Sequence, residues 1–235
     1  MISTLGIVWG STFLFIELAL KGITPLWLTS ARIVFATVIT SIIWLMRGGK
    51  LFATKETAWR RLGIIGIIST ALPFQLISWG QQYVTSSFAG LAMASMPLFV
   101  LPLAYFFNTN EALDKNKFIG LIIGFLGIVI LFSPDFTLGD NTSILITLGK
   151  LACILAAFCY ASNSILMRKL PSIDPIGLAA MSLIIGSVWV VLWAIAIEGP
   201  PPNISTETLL ILILLGLLPT AMANFIRVVL IREAG

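Results

Sequence analysis

The stretch from Leu62 to Tyr83, LGIIGIISTALPFQLISWGQQY, contains no Asp, Glu, Lys or Arg. As a helix rising about 1.5 Å per residue it is long enough to cross a hydrocarbon core of about 30 Å. A soluble helix of that length carries charge on its outer face, and this one has none. Its main polar groups, Gln75, Ser78, Trp79 and Gln82, are spaced i, i+3, i+4, i+7 and share one helical face. Amides and an indole N–H are unwelcome in lipid, so that face belongs toward a bundle interior or a water-filled cavity.

The rest of the chain agrees. Of 235 residues, 58% are hydrophobic and 10% charged, against a soluble norm of about 25% charged. An ordinary soluble domain, a disordered chain, a collagen-like repeat and a small disulfide scaffold are all excluded. There is no His, which removes imidazole metal ligands, Ser-His triads and His proton relays. Cys153 and Cys159 lie in one apolar stretch, about 9 Å apart along a helix axis, too far to bridge each other. Neither a cofactor nor a metal is expected. The absence of a phosphate-binding loop argues against ATP-driven work by this chain alone.

Eight stretches read as spans of an all-α membrane protein, a polytopic helix bundle. They run from Ser3 to Leu20, Leu26 to Met46, Leu62 to Tyr83, Ser86 to Phe107, Phe118 to Phe132, Leu148 to Met167, Pro175 to Ile197 and Leu209 to Ile231. Gly48-Gly49-Lys50, Asn108 to Glu111, Ser133-Pro134-Asp135 and Gly199 to Asn203 break them. No cleavable signal peptide is expected, since no basic flank precedes the first stretch. With the N-terminus inside, Arg47, Lys50, Lys55, Arg60, Arg61, Lys115, Lys117, Arg168, Lys169 and Arg232 fall on one side, and only Lys21 and Lys150 on the other. The basic side is cytoplasmic by the positive-inside rule. The net charge of +4 therefore reflects loops and not nucleic-acid binding.

An internal repeat is also legible. Shifting the chain by 150 residues lays Gly66-x-x-x-Thr70-Ala71 on Gly216-x-x-x-Thr220-Ala221 and Pro25 on Pro175; a shift of 151 lays Trp9-Gly10-Ser11-Thr12 on Tyr160-Ala161-Ser162-Asn163. Spans 1 to 3 thus correspond to spans 6 to 8. A repeat of five spans is odd in number, so the second copy is inverted, an arrangement that secondary transporters use with the solute site near the midplane. The expected organisation is a first repeat over 1–132, an outside loop over 133–147 and an incomplete second repeat over 148–235. A ten-helix (5+5) architecture lacking its last two helices is the expectation.

Several of these residues occur together in one family. Trp9-Gly10-Ser11-Thr12-Phe13, Arg32 followed by Phe35-Ala36, Pro97-Leu98, Glu111 before Gly120-x-x-x-Gly124-x-x-Gly127, and Thr220-Ala221 stand in order along the whole chain. In these the chain resembles the EamA-like branch of the drug/metabolite transporter superfamily. The resemblance implies a ten-helix, two-repeat fold that moves small metabolites, often amino acids or drugs outward.

The candidate substrate-binding residues are Trp9 and Thr12 in span 1, Arg32 in span 2, Gln75, Trp79 and Gln82 in span 3, and Tyr160 and Asn163 in span 6. Three polar faces would satisfy one another around a shared wet volume. The competing reading is interhelical hydrogen bonding for Gln75 to Gln82, worth about 0.6 kcal/mol each, and interfacial anchoring for Trp9 and Tyr160. Glu17 and Arg32 sit about six to eight positions either side of the turn at Gly22 to Pro25, at similar depth. They are expected to neutralise each other; alternatively Arg32 binds a substrate carboxylate or Glu17 titrates in a coupled cycle.

The leading expectation is a secondary transporter or exporter of small metabolites working by alternating access. A non-transporting truncated remnant and a membrane-embedded enzyme are the alternatives. The expected partners are the lipid bilayer, a small-molecule substrate and, through the glycine-rich faces of span 5, a second copy of the chain. The expected location is the plasma membrane, the inner membrane in a bacterium.

Overall fold

The computed structural model describes residues 2–52, 57–107, 114–137 and 143–222. Helices occupy each apolar stretch: α1 (Ile2–Ala19), α2 (Pro25–Met46), α3 (Trp59–Gly80), α4 (Ser86–Phe107), α5 (Lys115–Thr137), α6 (Ile144–Arg168), α7 (Pro175–Glu198) and α8 (Thr206–Met222). Among the described residues α2, α3, α4, α6 and α7 are long and apolar enough to cross a membrane, and α1 from Gly6 and α8 are shorter apolar helices. Lys55, Glu111, Arg227, Arg232 and the end of the eighth stretch lie outside the described residues.

The helix starts follow from their residues. Pro25 and Pro175 each open a helix, where the missing N–H is no loss. Asp174 accepts from Gly177 N at 2.7 Å and Ser205 from Thr208 N at 3.1 Å, satisfying N–H groups that the first turn leaves open. α6 begins at Ile144, four residues before the expected Leu148, because Ser143 caps it by accepting from Leu145 N. Lys150, counted from the sequence with the outer-side charges although the expected span already starts at Leu148, lies well inside this helix. It is buried, with its ammonium 5.2 Å from the centre of the Phe88 ring. α5 likewise runs to Thr137 and passes Pro134, the expected break. A proline near a helix end removes few ladder bonds.

α3 and α8 are not uniform. Ile67–Ala71 and Gly216–Met222 are π-helical, wider turns that insert a residue into the ladder. They fall on the two copies of Gly-x-x-x-Thr-Ala. Proline accompanies both: Pro73 just after the first and Pro219 within the second, each withholding an N–H from the preceding turn. Threonine compensates. Thr70 Oγ1 donates to Gly66 O at 2.5 Å and Thr220 Oγ1 to Leu215 O at 2.9 Å. α4 is interrupted at Ser95, whose hydroxyl turns back on Ala92 O at 2.6 Å. Pro97 follows and cannot donate to the turn before it.

α2 and α7 lie side by side at the centre and pack against α8 and α3. The contacts recur at an offset of 150 residues. Arg32 on α2 donates from Nε to Thr220 Oγ1 on α8 at 3.0 Å, and Thr70 Oγ1 on α3 meets Ser182 O on α7 at 3.2 Å. A methyl added at Gly216 would lie 2.6 Å from Phe35 Cβ, and one at Gly66 would lie 2.8 Å from Ile185 Cβ. Bare backbone at those two glycines is what lets the helices approach so closely.

The loop ends sort into two groups. At one end Asp174 N donates to Leu51 O at 2.8 Å and Arg61 to Lys169 O at 2.6 Å, which joins the α2–α3 and α6–α7 connections. At the other, Thr24 donates to Glu198 at 2.5 Å. Two of the basic connections that the sequence assigns to the cytoplasm, α2–α3 and α6–α7, thus share one end of the bundle.

Candidate functional site

Arg32 is the residue from which the interior is built. α2 places it between α3 and α8, where it is only 5% exposed. Its Nε is used by Thr220, and its guanidinium carbon stands 4.1 Å above the centre of the Phe74 ring. Phe74 in turn meets Tyr160 of α6, ring centres 6.5 Å apart and planes inclined at 59°. A cation in a hydrocarbon-embedded bundle costs about 2.5–3.5 kcal/mol on insertion scales. A desolvated cation–π contact returns about 2 kcal/mol.

Glu17 does not supply the missing anion. Its Oε2 accepts from Ser86 N at 2.9 Å. That is the first turn of α4, where Thr85 accepts from Phe88 N as well. Carboxylates are drawn to helix N-termini, where free N–H groups and the positive end of the dipole coincide. The pairing of Glu17 with Arg32 expected from their matched depth is thus replaced by two separate partnerships. Depth along the axis says nothing about which way around the helix a side chain leaves.

Trp9 reaches the same neighbourhood from α1. Its indole N–H donates to Pro219 O at 3.3 Å, one residue before Thr220, while 42% of its surface stays exposed. Thr12 is buried but spends its hydroxyl on Val8 O at 3.0 Å in its own helix. Asn163, one turn along α6 from Tyr160, is buried; its amide N–H lies 3.3 Å from Met167 Sδ and its Oδ1 has no partner. Gln75, next to Phe74, has a buried Nε2 with no partner.

The structure thus groups Arg32, Phe74, Tyr160 and, through Pro219, Trp9, while Gln75 and Asn163 are near this group in the chain. Trp79 and Gln82 go elsewhere. Trp79 packs edge-on against Tyr83 at 5.2 Å and lines an apolar groove of about 530 Å³ with Leu76, Phe99, Leu155 and Phe158. Gln82 is exposed. The helical periodicity does not reach Gln82: α3 stops at Gly80, the next residues turn, and Gln81 is buried in place of Gln82. Gln81 is 5% exposed and donates to Phe13 O on α1 at 2.8 Å.

Phe74, Thr220 and Ser182 join the site without being among the residues expected from the sequence. The repeat pattern carried a signal for Thr220, since it aligns with Thr70. Phe74 carried none, as one aromatic among 15 Phe residues.

Comparison with known proteins agrees with this fold. The sequence pattern of the EamA-like transporter family matches residues 1–133 and 147–234. The chain is 24% identical over 196 residues to the uncharacterized transporter YoaV of Bacillus subtilis, covering 83% of this chain and 65% of that protein. It is 24% identical over 180 residues to an uncharacterized transporter of Archaeoglobus fulgidus, covering 77% and 61%. It is 28% identical over 148 residues to the uncharacterized inner membrane transporter YedA of Escherichia coli K12, covering 62% and 47%. The chain thus spans under two thirds of the length of these relatives. A crystal structure of another protein superposes with a TM-score of 0.61 at 19% identity, covering 95% of this chain and 77% of that one. At such identity the likeness is one of fold.

Proposed function

Because the chain belongs to the EamA-like transporter family, we propose that it carries small metabolites across a membrane by alternating access between two inverted halves. The family and the similar proteins support a multi-pass membrane transporter in general. We read the eight helices as spans, with the N-terminus and the basic loops in the cytoplasm, in the plasma membrane or, in a bacterium, the inner membrane. The solute site lies at Arg32, Phe74 and Tyr160, with Trp9, Gln75 and Asn163 around it.

One observation carries the mechanism. The α2–α8 and α7–α3 interlocks repeat the same positions at an offset of 150, each through a threonine on a π-helical turn that locally weakens the ladder. Two equivalent joints, each made by one half on the other, are what alternate opening of two faces requires. π-helical turns are common at sites that change conformation or bind.

The test bridges one joint. Thr70→Cys and Ser182→Cys are introduced together after Cys153 and Cys159 are replaced by Ser. A short bifunctional thiol reagent then links them in proteoliposomes containing a panel of amino acids and drug-like solutes. Flux of at least one solute should stop on bridging and return when a cleavable linker is reduced. Unchanged flux after complete bridging would rule out relative movement at this joint.

A further inference from the structure

Resting on the transport reading above, we propose that the solute is an organic anion, its carboxylate held by Arg32 and its apolar body laid along Phe74 and Tyr160. The argument begins from a charge that the packing does not need. Position 32 on α2 is matched at the offset of 150 by Ser182 on α7, and both positions join the opposite half through a threonine. In the α7 copy that joint is closed by a backbone carbonyl and a neutral residue. The α2 copy closes it with a guanidinium, so the cation there is surplus to the fold.

No carboxylate among the described residues pairs with that cation. Glu17, the carboxylate within α1, is committed to Ser86 N. A guanidinium offers five N–H donors in a planar fork that matches a carboxylate two bonds at a time. Thr220 takes the Nε donor, and the Phe74 ring covers the flat face without taking the place of an in-plane acceptor. A bound carboxylate would complete the shell of the cation. Ring faces at Phe74 and Tyr160 then suit an apolar or aromatic body.

The experiment uses the purified full chain in detergent micelles and titrates phenylacetate and indole-3-acetate beside their neutral amides, phenylacetamide and indole-3-acetamide, by calorimetry. The acids should bind saturably and at least tenfold more tightly than the amides. Arg32→Gln should bring the acids down to the level of the amides, and Arg32→Lys should keep an intermediate affinity, because a charge without the fork remains. Equal binding of acid and amide, no binding of either acid, or unchanged acid binding by Arg32→Gln would each overturn the assignment. If Arg32→Gln fails to fold, as judged by gel filtration, the acid-to-amide ratio of the unaltered chain decides alone. Failure here is separable from failure of the transport reading. Flux confined to neutral or cationic solutes would leave transport standing and remove the anion. Tight acid binding with no flux of any solute would do the reverse.

Discussion

Arg32 and Glu17 carry opposite charges at similar depth and nevertheless serve different helix contacts. Arg32 ties α2 to α8 through Thr220, and Glu17 ties α1 to the start of α4. The adjacent glutamines at the end of α3 divide in the same way. Gln81 is buried and bridges to Phe13 O, whereas Gln82 is exposed. Gln81→Ala should therefore lower stability by about 0.6–1.5 kcal/mol, the range for an interhelical or buried hydrogen bond. Gln82→Ala should stay within about 0.5 kcal/mol of the parent, as surface substitutions do. Unfolding by sodium dodecyl sulfate in mixed micelles measures both. An equal loss at the two positions would contradict the placement of α3's end at Gly80.

The informative elements are α3 and α8, each widened by a π-helical turn and each pressed by a glycine against the other half. Ile185 Cβ and Phe35 Cβ stand directly over Gly66 and Gly216, and a Cβ atom cannot rotate away as the end of a long side chain can. Gly66→Ala and Gly216→Ala should each cost about 1–3 kcal/mol through overpacking. Gly10 and Gly63 have nothing within 4 Å of an added methyl. Alanine there should be neutral or stabilise by up to about 1 kcal/mol through helix propensity. The same micellar unfolding separates the two classes. In the Gly66→Ala background, Ile185→Ala should recover only the part of the loss owed to Cγ2 and Cδ1, since its own Cβ remains.

For the whole molecule, the basic residues of the α2–α3 and α6–α7 connections gather at one end of the bundle, joined by the Leu51–Asp174 and Arg61–Lys169 contacts. Under the proposed orientation that end is cytoplasmic. In a chain with Cys153 and Cys159 replaced, Lys50→Cys should resist a membrane-impermeant maleimide in intact cells and react after permeabilisation. Glu207→Cys, exposed at the start of α8, should react without permeabilisation. The opposite pattern would reverse the orientation while leaving the bundle unchanged.

Membrane character, the family and the approximate place of the described helices are legible in the sequence alone. The reason is that hydrophobic length, proline and glycine punctuation and basic flanks are local properties of the chain. The duplicated Gly-x-x-x-Thr-Ala is legible as a repeat, but that both copies lie on widened turns is seen only in the structure. Partnership was not legible. Helical phase gives the face of a residue relative to its own helix, and only while that helix continues: it failed for Gln82 once α3 ended at Gly80. Which helix covers a face, and which hydroxyl meets Arg32 from 188 positions away, is decided by how eight helices share one interior. Lys150 shows the same limit. Its charge suggested an exposed end of the span, but it is buried against the ring of Phe88. Tertiary packing alone chose those neighbours, because the free energy of burying a polar or charged group depends on the partner it finds and not on its place in the chain.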